Sequence, residues 1–160
     1  MPLQLLLAFL LLSLSASAQD ALLNDARKGI ASIFQDEQAS TDMNARFDGV
    51  DVKGKPLLMG YKGAVVMARG RHAANPFTKL STFNEGRALL DSAISLDPKS
   101  VELRFLRLSI QVNVPKILGY GGQIVEDRAF IDRNLASVKS DDFRQRVTTF
   151  IAKAEEQGKL

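Results

Sequence analysis

The chain has 160 residues, enough for one domain with a continuous core, and its 21 basic and 18 acidic side chains leave a formal charge of only +3. Those charges are interspersed and form no basic block that could follow a phosphate backbone, so nucleic-acid binding is not expected. There is no cysteine and a single histidine, His72, which excludes disulfides, thiol chemistry and a zinc site of nitrogen and sulfur ligands.

From Pro2 to Leu14 the sequence is dominated by leucine, and Ser-Ala-Ser-Ala follows with an Ala16-x-Ala18 pattern. The apolar run is too short to span a bilayer, so residues 1–18 read as a secretory signal peptide cut near Ala18, with an uncleaved anchor as the alternative. That predicts export to the periplasm or the extracellular space. It leaves residues 19–160 as a single helical domain with no transmembrane span.

Leu22, Ala26, Ile30 and Ile33 then sit at helical steps, predicting a first helix from Asp20 to about Phe34 with Asp20 as its cap. Residues 35–55 are polar and end in the breakers Asp48-Gly49 and Lys53-Gly54-Lys55-Pro56. A short helix from Ser40 to Phe47, capped by Ser40 or Thr41, fits between. Leu57 to Gly70 is apolar nearly all round as a helix, with Lys62 and Arg69 as its narrow charged stripe and with small residues that let neighbouring backbones approach. Ala64 to Met67 also has strand character, but helix is the preferred reading. Residues 69–76, with His72, are expected to loop back.

Leu80, Phe83, Leu90 and Ile94 form the next apolar stripe, which Asp97-Pro98 ends because proline cannot donate the next backbone bond. Within it Gly86, Leu90, Ala93 and Pro98 have the spacing of the second half of a tetratricopeptide (TPR) unit. A step of about 34 residues forward or back lands on Asp127 and Asp132, or on Met59 and Ala64, so the pattern does not recur. From Pro98 to Val114, with Asp97 or Ser100 as cap, the apolar residues fall on two opposed faces: Val101, Phe105, Leu108 and Val112 on one, and Leu103, Leu106, Ile110 and Val114 on the other. Such a helix needs packing partners on both sides. Gly119, Gly121 and Gly122 then mark a turn around Tyr120. Ile124, Ile131, Leu135 and Val138 predict another helix, and Phe143 to Ala154 the last, capped by Ser140 and ended by Gly158. The fold class is therefore all-α, six or seven helices in stacked hairpins, as a TPR-like right-handed array.

Tyr61-Lys62-Gly63-Ala64, Phe83-Asn84-Glu85-Gly86, the block from Glu102 to Gln111, Pro115, Leu118-x-Tyr120 and Glu126-Asp127 together resemble a group of small secreted proteins of Bacteroidetes-type bacteria. The likeness runs from about Leu57 to Ile131. It implies a TPR-like helical fold outside the cytoplasm and supplies no catalytic residues.

For chemistry the sequence offers mainly absences. No nucleophile elbow accompanies His72, and Gly119-Tyr120-Gly121-Gly122 lacks the lysine and hydroxyl of a phosphate loop. Adjacent acids such as Glu126-Asp127 point about 100° apart on a helix and read as solvated or helix-start charges. No catalytic residue, metal or cofactor is expected. The polar flank Arg104, Arg107 and Gln111 of the middle helix is the candidate ligand site, with Tyr61, Lys62, Lys79, Tyr120 and Asp127 as further lining. Shielded arginines need anionic partners, supplied either by an internal network to Asp91, Asp97 or Asp127 or by a bound carboxylate, phosphate or peptide. The expected function is a helical protein- or peptide-binding module of the periplasm or cell envelope. The alternatives are a small hydrolase or ligand-binding enzyme with an Arg/carboxylate pocket, and a purely structural envelope protein.

Overall fold

A computed structural model of the chain describes residues 2–160, with side chains from residue 17 onward. The expected signal peptide therefore rests largely on side chains outside the described residues. Among the described residues the chain is all helical: α1 (Pro2–Ile33), α2 (Glu37–Phe47), α3 (Pro56–His72), α4 (Pro76–Leu96), α5 (Val101–Gln111), α6 (Ile124–Asn134) and α7 (Asp141–Glu156), with short 3-10 turns at Lys116–Leu118 and Leu135–Ser137. Among the described residues no helix is long and apolar enough to cross a membrane.

Capping chemistry explains most of the boundaries. Asp36 caps α2 by accepting from the Ala39 amide, Asn75 caps α4 through the Phe77 and Thr78 amides, and Ser100 and Ser140 cap α5 and α7. Proline opens α3 and α4, where its missing N–H costs nothing. At the end of α7 Gly158 takes a positive φ, and the Lys159 amide bonds back to the Ala154 carbonyl, as in a Schellman turn.

Three expectations about ends need correcting. Asp20 is not a cap, because α1 continues through it from the preceding apolar run. Ser40 and Thr41 do not start α2, because Asp36 offers its carboxylate one turn earlier and leaves Ser40 buried inside the helix. His72 belongs to the last turn of α3, and the loop shrinks to Ala73, Ala74 and Asn75.

The longest packing interface joins α3 to α4, and glycine permits it. A Cβ on Gly63 would lie 2.6 Å from the Gly86 carbonyl oxygen, and one on Gly86 would lie 2.4 Å from the Gly63 oxygen and 2.7 Å from the Met67 amide nitrogen. The two backbones thus touch where side chains normally intervene. The first turn of α4 projects beyond this contact, which is why Leu80, expected in the stripe, is 48% exposed while Phe83, Leu90 and Ile94 are buried.

Helix α5 separates two cores, and its two apolar faces divide between them. Leu103, Leu106 and Ile110, with Val114 beyond the helix end, join a cluster with α1 to α4 that includes Phe47, Met67 and Leu90; Val101, Phe105, Leu108 and Val112 join Ile131, Phe143, Val147 and Ile151 of α6 and α7. Phe105 meets Phe143 and Phe150 edge-on, at centroid distances of 5.7 and 5.3 Å.

Candidate functional site

The two flanks of α5 that belong to neither core carry its polar residues, and each flank is built differently. On the first, Arg107 clamps Asp127 with two parallel bonds, Nε to Oδ2 at 2.7 Å and a terminal nitrogen to Oδ1 at 2.8 Å, and reaches Asp91 on α4 at 3.1 Å. Arg104 bonds Asp127 Oδ1 at 2.8 Å and Glu126 at 2.7 Å, and its guanidinium lies over the Phe130 ring. Gln111 donates to the Gln123 side chain at 2.9 Å. Arg87 completes the cluster, 3.6 Å from Asp91 and stacked on the Tyr120 ring.

Three guanidiniums therefore meet three carboxylates, and no net charge remains to draw in an anion. Asp127 is 0% exposed, so it is no solvated helix-start charge even though it lies in the first turn of α6. Burial alone would loosen the Arg107 proton, but the bonds from Asp127 and Asp91 outweigh it and hold the guanidinium charged. Asp97, the third acid expected to pair here, instead ends α4.

The remaining candidates lie elsewhere. Tyr61 sits at the junction of α1, α3 and α5, where its hydroxyl donates to Glu102 at 2.9 Å; Arg27 clamps the same carboxylate at 2.6 and 2.8 Å. Tyr120 is buried against Phe83, and its hydroxyl makes a long 3.4 Å contact with Asp91. Lys62 is half-buried on α3. Lys79 projects at the start of α4, and its Nζ bonds the Arg71 carbonyl at 3.0 Å. Arg104, Arg107, Gln111, Tyr120 and Asp127 thus come together, whereas Tyr61, Lys62 and Lys79 do not join them.

The second flank of α5, with Ser109 and Asn113, faces an open groove of about 920 Å³. Its walls are the end of α1 (Ile30, Phe34), the end of α3 (Met67), the start of α4 (Phe83), and Phe150 of α7, and the turn after α5 closes it with Leu118. Of the sequence candidates, only Lys79 lines it. A smaller cavity of about 260 Å³ lies beyond His72, which lines both, and is formed by Ser40, Thr41, Arg69, Thr78, Thr82 and Glu37 among others. His72 Nε2 lies 2.9 Å from the Ile33 carbonyl, which can only accept, so Nε2 carries the hydrogen and Nδ1 is the other ring nitrogen. His72 is thus a partly buried wall between two cavities, and not an ordinary exposed loop histidine.

Sequence reasoning missed this groove because its lining comes from five separate segments, each of which reads as ordinary core or helix end. One signal was present: from Arg69 to Phe83 the chain carries Arg69, Arg71 and Lys79 and no acid. Among the described residues no group of three or more histidine, aspartate or glutamate side chains could hold a metal ion. Set against known proteins, the chain matches no family model, no curated protein and no solved structure.

Proposed function

We propose that the chain is an exported, non-catalytic binding module whose stacked, TPR-like helical hairpins frame one apolar groove, and that this groove is its binding site. The groove itself carries the reading: its volume falls within the range of about 300–1,000 Å³ typical of ligand sites, and its walls are mainly aliphatic and aromatic, with Gln35, Arg71, His72, Lys79, Ser109 and Asn113 as the polar groups. A protein or peptide partner fits the same reading, laying apolar side chains into the groove while Asn113 and Gln35 meet its backbone at the rim. An Arg/carboxylate enzyme is less well supported, since Arg104, Arg107 and Asp127 line neither cavity and are occupied with one another.

Nile red, a neutral apolar dye, tests the reading. The chain contains no tryptophan, so Ala31→Trp both narrows the groove from the exposed last turn of α1 and adds a single reporter. Nile red should brighten with the folded wild-type chain and bind Ala31→Trp at least about tenfold more weakly, a difference near 1.4 kcal/mol. The control Ala45→Trp, on the exposed face of α2, should bind normally. A folded chain that leaves the dye dark, or binds it equally in both variants, removes the groove as the site.

A further inference from the structure

The groove and the smaller cavity meet at His72, and they differ in chemistry. The first two turns of α4 straddle the boundary: Lys79 and Phe83 line the groove, while Thr78 and Thr82 line the side cavity. The end of α3 divides in the same way, with Arg71 on the groove and Arg69 on the side cavity. Chemically, one compartment suits hydrocarbon and the other suits a compact polar group.

The side cavity also holds an unmet demand. Ser40 is 1% exposed, and among the described residues its hydroxyl has no hydrogen-bond partner although it lines this cavity. A buried hydroxyl without a partner costs free energy that an occupant can return. Cations outnumber acids on the two sides of His72. Arg71 and Lys79 on the groove side have no carboxylate partner among the described residues, and on the side-cavity side Arg69, which reaches Glu85 only at an exposed 3.7 Å, stands against Glu37.

We propose that the two cavities form one site for a single-chain carboxylate amphiphile, its hydrocarbon tail in the apolar groove and its carboxylate in the side cavity among Ser40, Thr78, Thr82 and Arg69. The proposal names the ligand class for the binding module inferred above and rests on the groove being its site. The serine and threonine hydroxyls offer the head its donors, and Arg69 supplies the counter-charge.

Calorimetric titration of the purified chain with dodecanoate, below its micelle concentration, tests this beside dodecyltrimethylammonium, which has the same tail and the opposite head. Dodecanoate should bind once per chain, and the cationic amphiphile at least about tenfold more weakly. Ser40→Ala and the near-isosteric Thr82→Val should each weaken dodecanoate about three- to tenfold while Nile red binding stays unchanged, with melting curves confirming that both variants fold. Equal affinity for the two heads, or no effect of either variant, overturns the head site and leaves the groove standing. An acetylated apolar peptide that displaces Nile red where dodecanoate does not overturns the proposal in favour of a peptide occupant. Loss of binding for dye and amphiphile alike brings down the groove reading itself.

Discussion

Asp127 accepts from two arginines in a place that water does not reach, so each partner there depends on the others. Asp127→Ala should leave the Arg107 guanidinium buried with only the distant side of Asp91 to satisfy it, a loss of about 3–5 kcal/mol by analogy with broken buried pairs. Chemical denaturation of that variant, set beside the exposed Asp142→Ala, measures the difference. The two tyrosines, the only ones in the chain, give a second residue-scale prediction. Burial, reinforced by Glu102 beside Tyr61 and Asp91 beside Tyr120, raises both phenols well above their ordinary value near 10. The folded state therefore keeps protons that the unfolded chain releases, so this stabilisation is present below pH 10 and is lost as pH rises beyond it. Tyrosinate absorbance should appear only together with the loss of helical circular dichroism. Absorbance that develops while the helices persist would show the phenols to be accessible. Of the carboxylate partners, Asp91 and Asp127 were legible as acids that shielded arginines would need, whereas nothing in the sequence aimed Glu102 at Tyr61 and Arg27. Helical periodicity reports which residues share a face, but not which distant helix arrives there.

At the scale of elements, the backbone contact between α3 and α4 reverses a usual rule. Glycine to alanine inside a helix normally adds about 1 kcal/mol of stability. At Gly86 the new methyl would meet the Gly63 oxygen and the Met67 amide, both backbone atoms, so α3 and α4 must separate. Gly86→Ala should therefore destabilise by about 1–3 kcal/mol, the usual range for an overpacked core, and a lowered melting temperature is the measurement. The sequence made this contact half-legible: the small residues of the Leu57–Gly70 stretch announced a close neighbour, and the Gly86 spacing suggested a helical hairpin. The two faces of α5 were fully legible, because opposed apolar stripes have no other stable use in a short helix. Boundaries were less so. Asp36 and Ser40 are both good caps, and only the packing of Ser40 against the core decides between them.

For the whole molecule, one shared helix and two clusters make a domain whose cavity opens at the seam. The all-helical class was readable from periodicity alone, since helical spacing persists from Leu22 to Ala154. The site was not, for the groove joins residues from 30 to 150 and depends on Phe150 of α7 being brought opposite the ends of α1 and α3. Cation-rich Arg69 to Lys79 was visible as composition, yet it gained meaning only when α3 and α4 turned its alternate residues toward different compartments.

The divided allegiance of α5 also bears on how the chain is made. A ribosome delivers the N-terminal part first, so α1 to α4 can close around Leu103, Leu106 and Ile110 as soon as α5 emerges. Its other face, with Val101, Phe105 and Leu108, must then stay wet until Phe143 to Ile151 have been synthesised. A nascent or truncated chain that ends before α7 thus carries an uncovered apolar stripe along α5, and Phe143, Val147 and Ile151 are the side chains that cover it.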